Sequence, residues 1–435
     1  MGTHRSSWLR FLRVLLVPLA AGLLLAACSS SSPSSNAGSS TTTSASGSTT
    51  SCVSDPAKVI ISAPGGPSMT SALPASLVTS LNDAAQSSFK AAAAPGAIVG
   101  VHSPQGTWTS AYGLADPTNG TPMTTDMHMR IGSVTKTFTG TLILQLAQEG
   151  KLSLNDTIDK YYPGIPNGNK ITLTMLANMT SGISSYFTPK FLDQYFGHPD
   201  TVFTPDELVA DGVAASPIFD PGAKFNYSNT NTILLGKVIE KVTGQPFQDV
   251  LQQGILGPLG MTNTSFPTVS PAIPAPYPQG YTLQSTTKIT QPVNATNWSP
   301  SFGWSAGAII STLQDLLVYD QAVATGQGIL SPATQTQRLD SFPAPAGYGL
   351  ALGCIDGWIG HTGELPGFNT ALYYDTTSAT SVVVLVNSDI PSGNCSESPT
   401  LIDNPSDIPC SSPATRVFVA LSKALGHQFE PLPAK

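Results

Sequence analysis

The chain has 435 residues, of which 40 % are apolar and only 10 % charged, with a formal net charge of -7. That length and apolar content support an extensive core, in one large domain or two smaller ones. The sparse, acidic charge, with no basic run to follow a phosphate backbone, excludes nucleic-acid binding from the expected functions.

At the start of the chain, Arg5, Arg10 and Arg13 precede an apolar run from Val14 to Ala27. The run is short for a bilayer crossing and reads as an export signal over residues 1–27. It ends Leu25-Ala26-Ala27-Cys28, which resembles the lipobox of bacterial lipoproteins. Cys28 is therefore expected to carry lipid and to anchor the chain on the outer face of a membrane; an ordinary cleavage site beside a chance cysteine is the alternative. Residues 28–72, rich in Ser and Thr, offer few apolar side chains to offset the entropy of ordering and read as a flexible tether. The folded unit is expected over 73–430.

Helical spacing of Leu77, Leu81, Ala84, Ala85 and Phe89 predicts a helix over 77–93, stopped by Pro95-Gly96. Ala97 to His102 and Thr107 to Leu114 then read as a hairpin around Ser103-Pro104-Gln105-Gly106. From Ser133 a stripe of Val134, Phe138, Leu142, Ile143 and Leu146 predicts a second helix, ending near Gly150. Thr204-Pro205-Asp206-Glu207 is a capping box, and Leu234, Leu235, Val238, Ile239 and Val242 form a further stripe closed by Gly244. Strand patterns return at 348–355, 358–361, 368–375 and 381–387, before a last helix near 414–425. This order predicts an α+β fold: one antiparallel sheet built from both ends of the chain (73–132 and 300–430), flanked by terminal helices, with a helical region over 133–299 inserted. The active site is expected between the two parts.

Apart from Cys28, the cysteines are Cys52, Cys354, Cys395 and Cys410, an even set in a chain read as exported. Three pairings are open; a short loop from Cys395 to Cys410, leaving Cys52 with Cys354, is the favoured one. Zinc-ligand spacing, a CxxC pair and HExxH are all absent from the sequence, so no metal or other cofactor is expected.

Three short boxes carry chemistry. Ser133-Val134-Thr135-Lys136 has the spacing of a nucleophile and its base, and residues three apart on a helix share a face. A serine is a weak nucleophile until a base takes its proton, and a lysine serves only if burial and a helix's positive end lower its pKa. Two other S-x-x-K matches, Ser87 to Lys90 and Ser285 to Lys288, open no apolar helix and read as accidents. The second box is Tyr227-Ser228-Asn229: the phenol can hand on a proton and the Asn229 amide can hold a carbonyl. The third is His361-Thr362-Gly363 at a strand end. Each box alone is matched by a bland reading: a capping serine with a snorkelling lysine, a buried tyrosine, a polar histidine at a sheet edge.

Together and in this order, the boxes resemble the serine β-lactamase-like family, in the branch of class C β-lactamases, D-alanyl-D-alanine carboxypeptidases and β-lactamase-fold esterases. TGTLILQLAQEGKLSLNDTI, ITLTMLANMTSGI, FNYSNTNTILLGKVIE and WSAGAIISTLQDL look like that family's landmarks. The resemblance implies the penicillin-binding-protein-like transpeptidase fold and an acyl-enzyme mechanism on a small-molecule or cell-wall peptide substrate. Ser133 would attack with Lys136 and Tyr227 assisting, and His361 would complete the catalytic set. Asn229, Thr362, Gly363 and Glu364 would hold the substrate, the N–H groups of Ser133 and Glu364 forming the oxyanion hole. Class C β-lactamases carry Lys-Thr-Gly as third box, so His361 weakens a lactamase reading. The absence of Lys or Arg from YGLALGCIDGWIG weakens a carboxypeptidase one. Asn178, where relatives often have histidine, is read as packing.

Two rivals remain. Gly303-Trp304-Ser305-Ala306-Gly307 fits the nucleophile elbow of α/β-hydrolases, with His361 and His427 downstream, although no apolar strand precedes it. A binding module that keeps the fold without catalysis is the other. Oligomeric state is not legible in the sequence.

Overall fold

Short strand-forming runs near both ends of the chain, buried on both faces at the sheet's centre, and period-3.6 stripes between them set the layout of the computed structural model. It describes residues 51–61, 71–343, 346–396, 401 and 403–431. The export signal, Cys28 and the first part of the tether lie outside the described residues.

Along the chain, α1 (Pro56–Ile61) and α2 (Ala75–Ala92) precede the hairpin of β1 (Gly96–Ser103) and β2 (Gly106–Asp116), then β3 (Thr121–Pro122) and β4 (Met129–Arg130). The helical region follows with α3 (Thr135–Gln148), α4 (Leu173–Ala177), α5 (Pro189–Gly197), α6 (Pro205–Val213), α7 (Asn229–Thr243) and α8 (Phe247–Leu251). A small ladder of β5 (Tyr281–Thr282) with β6 (Val293–Asn294) leads to α9 (Trp304–Gly307), β7 (Ile310–Ser311), α10 (Leu313–Thr325) and α11 (Pro332–Leu339). The return to strands comprises β8 (Ala346–Tyr348), β9 (Gly353–Ile355), β10 (Trp358–Leu365), β11 (Phe368–Asp375) and β12 (Thr380–Val386), and α12 (Pro413–Ala424) closes the fold.

The main sheet runs β3-β2-β1-β12-β11-β10-β9-β8 and is antiparallel throughout. Its centre joins the chain's two ends, with Ile98 opposite Leu385 and Val101 opposite Val382. This is the expected α+β arrangement. Helices α2 and α12 pack on each other and on one face of the sheet; α10 lies on the other. Local signals hold: Thr204 and Glu207 form the reciprocal capping box with Pro205 in the first turn, and Gly244 closes α7 in the left-handed conformation. Helix α3 is buried on nearly every side, as befits a central helix.

Three expectations need correction. The strand predicted over 348–355 is two short strands, because Ala351 turns at φ 55° and its N–H donates to the Ala177 carbonyl at the end of α4. The strand predicted to end at His361 continues to Leu365, in register with β11. The tether, expected to reach 72, is ordered from Ser51 to Ile61. There Val53 and Val59 are buried to 2 % exposure and Cys52 bonds to Cys354 in β9. These side chains supply the apolar surface that the preceding Ser/Thr run lacks. The second disulfide joins Cys395 to Cys410, so both pairs follow the favoured pairing.

Candidate active site

Two glycines bring two backbones together. Gly132 adopts φ +51°, and a side chain there would meet the Glu364 nitrogen at 2.4 Å; one on Gly363 would meet the Ile131 carbonyl oxygen at 1.9 Å. Only hydrogen fits at either place, so the turn before α3 lies directly against β10. The N–H groups of Ser133 and Glu364 therefore flank one seam, the arrangement an oxyanion hole requires.

Ser133 sits in a 3₁₀ turn, Gly132–Val134, that runs into α3. It is partly exposed, whereas Lys136, one turn on, is wholly buried. The Lys136 Nζ lies 2.9 Å from Ser133 Oγ and donates to the Ala306 carbonyl at 2.8 Å. It also stands over the Tyr227 ring, 5.0 Å from its centroid. Burial holds the Lys136 pKa well below its ordinary value. Lowering the pKa of an amine beside a hydroxyl makes it easier for the amine to be free to accept the hydroxyl's proton.

The Tyr227 ring precedes α7, which Asn229 opens as a nearly buried first residue. Burial pushes the phenol above its ordinary pKa; Ser133, close by, opposes the rise. The Tyr227 oxygen is nevertheless shielded from solvent and has no partner in good hydrogen-bond geometry. The phenol thus keeps its proton at neutral pH.

Buried His361 lies on β10 with its ring centroid 6.1 Å from that of Tyr227. Burial first, and the nearby Lys136 second, lower its pKa to about 3, against the opposing effect of the Thr362 carbonyl. Thr362 is partly exposed, the Gly363 carbonyl accepts from Asn369 Nδ2 at 3.2 Å, and exposed Glu364 has its Oε2 3.5 Å from the same nitrogen. The structure thus gathers all three boxes around Ser133. Asn178 caps a local turn, accepting from the Thr180 hydroxyl at 2.6 Å.

The nucleophile-elbow reading of Ser305 fails. Ser305 is fully buried; its hydroxyl donates to the Thr232 carbonyl at 3.0 Å, and its own carbonyl accepts from Thr139 Oγ1 at 2.6 Å. His427 pairs with Asp375 at 3.0 Å and stacks on Trp358, on the face that α12 covers. What the pentapeptide does is aim the Ala306 carbonyl at Lys136, with Trp304 held at a strained φ of 32°. Sequence reasoning missed that carbonyl, since a backbone oxygen leaves no mark in a sequence. It also missed Tyr348, whose hydroxyl lies 3.1 Å from His361 Nε2.

Comparison with known proteins agrees with this geometry. Residues 81–402 match the family described as Beta-lactamase. A putative penicillin-binding protein PbpX of Bacillus subtilis (strain 168) is 28 % identical over 258 residues, covering 59 % of this chain. The chain spans only 61 % of that relative's length. A solved D-stereospecific amidohydrolase from Streptomyces sp. is 32 % identical, with 71 % of this chain and 94 % of that one covered and a TM-score of 0.65. The D-amino acid amidase from Ochrobactrum anthropi SV3, solved with D-phenylalanine, is 25 % identical, with 80 % and 99 % covered and a TM-score of 0.67. With the family match spanning most of the folded unit and the three boxes meeting around Ser133, the chain belongs to the Beta-lactamase family.

Proposed function

We propose that the chain is an exported, membrane-anchored serine hydrolase that opens amide bonds in D-configured aminoacyl or cell-wall peptide substrates through an acyl-enzyme on Ser133. One observation carries the reading: a wholly buried Lys136 with its Nζ 2.9 Å from Ser133 Oγ. A lysine usually carries its ammonium to water, so burying this one beside a serine hydroxyl calls for a reason.

In the proposed reaction the Ser133 oxygen attacks the carbonyl carbon while Lys136 takes its proton. The oxyanion rests on the N–H groups of Ser133 and Glu364. Tyr227, a protonated phenol, gives its proton to the leaving nitrogen as the C–N bond breaks and regains one from Lys136. Water then attacks the acyl carbon, Lys136 accepts the water's proton, and Ser133 leaves with a proton returned. The raised pKa of Tyr227 and the lowered one of Lys136 support this division of labour.

Likeness to two amidohydrolases of D-stereochemistry supports the amide and the D-configuration. The test is peptide mapping by mass spectrometry after treatment with a fluorophosphonate, paired with turnover of D- and L-phenylalaninamide. A label on Ser133 that disappears in Lys136→Ala, with the D-amide preferred, is the expected result. No label anywhere would favour the non-catalytic binding module, and a preference for L-amides would sink the stereochemical part. Loss of fatty-acid labelling in Cys28→Ser tests the anchor.

A further inference from the structure

Tyr348 belongs to none of the three boxes. It ends β8, is 4 % exposed, and stands edge-on to the rings of both Tyr227, at 6.2 Å and 89°, and His361, at 5.5 Å and 90°. Its hydroxyl contacts His361 Nε2, while the other ring nitrogen, Nδ1, faces the carbonyl of Thr362. A carbonyl can only accept, so Nδ1 carries the hydrogen, Nε2 is bare, and the Tyr348 hydroxyl donates to it.

We propose that Tyr348 is a positioning residue for the reaction: it locks His361 as the neutral Nδ1–H tautomer, leaving Lys136 as the one group beside Ser133 that takes on positive charge.

Protonating Nε2 would require the Tyr348 hydroxyl to turn away and would leave a desolvated cation next to Lys136. Two like charges there would oppose each other, and Lys136 would become a poorer acceptor for the serine's proton. The surroundings offer no remedy. The groups acting on His361 and Tyr348 are Lys136 from α3, Tyr227 before α7, Arg338 from α11 and Tyr373 from β11. None is a carboxylate that would hold an imidazolium. On β10 itself, exposed Glu364 has its Oε2 3.5 Å from Asn369 Nδ2, and Asn369 in turn holds the start of α12. Tyr348 also comes from the sheet's edge, so its ring reaches the site only because β9 and β10 bring β8 alongside.

The rate test rests on the acyl-enzyme reading; the spectroscopic test does not. Nitrogen-15 imidazole spectra of the full-length protein in detergent should show His361 as the Nδ1–H tautomer, unchanged from pH 8 to pH 5. In Tyr348→Phe, which keeps the burial but loses the donor to Nε2, the same residue should exchange between the two tautomers. An Nε2–H tautomer in the unmodified protein would overturn the proposal even if Ser133 labels as expected. Conversely, a correct tautomer with no label on Ser133 would leave Tyr348 in place and sink only the hydrolase reading.

With a turned-over amide, Tyr348→Phe should lose kcat several-fold at pH 8 with little change in KM. The loss relative to the unmodified enzyme should deepen as pH falls, because without the Tyr348 donor the imidazole protonates more readily. A loss relative to the unmodified enzyme that stays constant with pH would reject the lock. If that variant folds poorly, the double variant His361→Asn/Tyr348→Phe against His361→Asn alone keeps the test: with no imidazole to protonate, the second change should leave the shape of the pH profile unaltered, and a new acid limb there would reject the proposal.

Discussion

The same strands make both faces of the main sheet, yet the two faces treat polarity in opposite ways. Toward α2 and α12 point Val99, Val101, Val382, Val384 and Val386, packed with Leu81, Val417, Phe418 and Leu421. That face is largely apolar, with buried Asn369 accepting from the Ala414 N–H at the start of α12 and Asp375 at a strand end paired to His427. From the other face, Ile98, Leu372, Val383 and Leu385 meet a helical layer that also buries Lys136, His361, Asp320 and Arg338. Burying apolar surface stabilises, whereas burying an ionisable group costs free energy and moves its pKa. A site built on one face can therefore carry displaced pKa values while the opposite face supplies stability.

Four experiments break or sharpen that contrast. The largest effect should come from Lys136→Ala, which removes the proposed base: kcat/KM should drop about 10²–10⁴-fold. A fall of less than tenfold would mean that Lys136 is structural. On the opposite face, Phe418→Ala should lower the unfolding free energy by about 3–5 kcal/mol in urea titrations, while kcat/KM per folded molecule stays within twofold. A large loss of kcat/KM in that variant would show that the two faces are coupled.

The third concerns pH. His361 has a folded pKa of about 3, below its unfolded value, so the unfolded chain binds more protons between the two. Its stabilising effect is fully present above about pH 6.5 and is lost as pH falls toward 3, the loss amounting to about 2 kcal/mol by pH 5. Asp389, pushed up to about 7 chiefly by burial, works with the opposite sign: the folded state holds its proton longer, so stability is lost as pH rises from about 4 through 7. The quantity to read is thus the difference between the unmodified protein and His361→Asn across pH 4–8. It should narrow with acid, and a constant difference would contradict the buried neutral imidazole. Smallest of the four, Thr204→Ala should cost about 1 kcal/mol through loss of the capping box, with no change in kinetics. A change in kcat would tie α6 to the site.

Much of the architecture was legible because its causes are local. Thr204 caps α6 through neighbours three residues away, Gly244 ends α7 by its own φ of 67°, and the valines of β12 alternate by the geometry of any strand. Ser133 and Lys136 share one turn of helix, so their contact could be expected from spacing alone. The tether's end was misread because its ordering depends on Cys354, 302 residues away, and on a surface for Val53 and Val59 that composition does not reveal. Ser305 matched a motif whose meaning depends on exposure, and it is buried.

By itself, then, the sequence determined the order of elements, the three boxes and the glycines at 132 and 363 that allow close approach. Only the tertiary structure decided that Lys136 is wholly buried, that the Ala306 carbonyl holds it across 170 positions of chain, and that Tyr348 meets His361. The physical reason is that hydrogen-bond spacing and backbone conformation act over a few residues. Desolvation, which sets the protonation state of a buried amine or imidazole, is a property of everything packed around it.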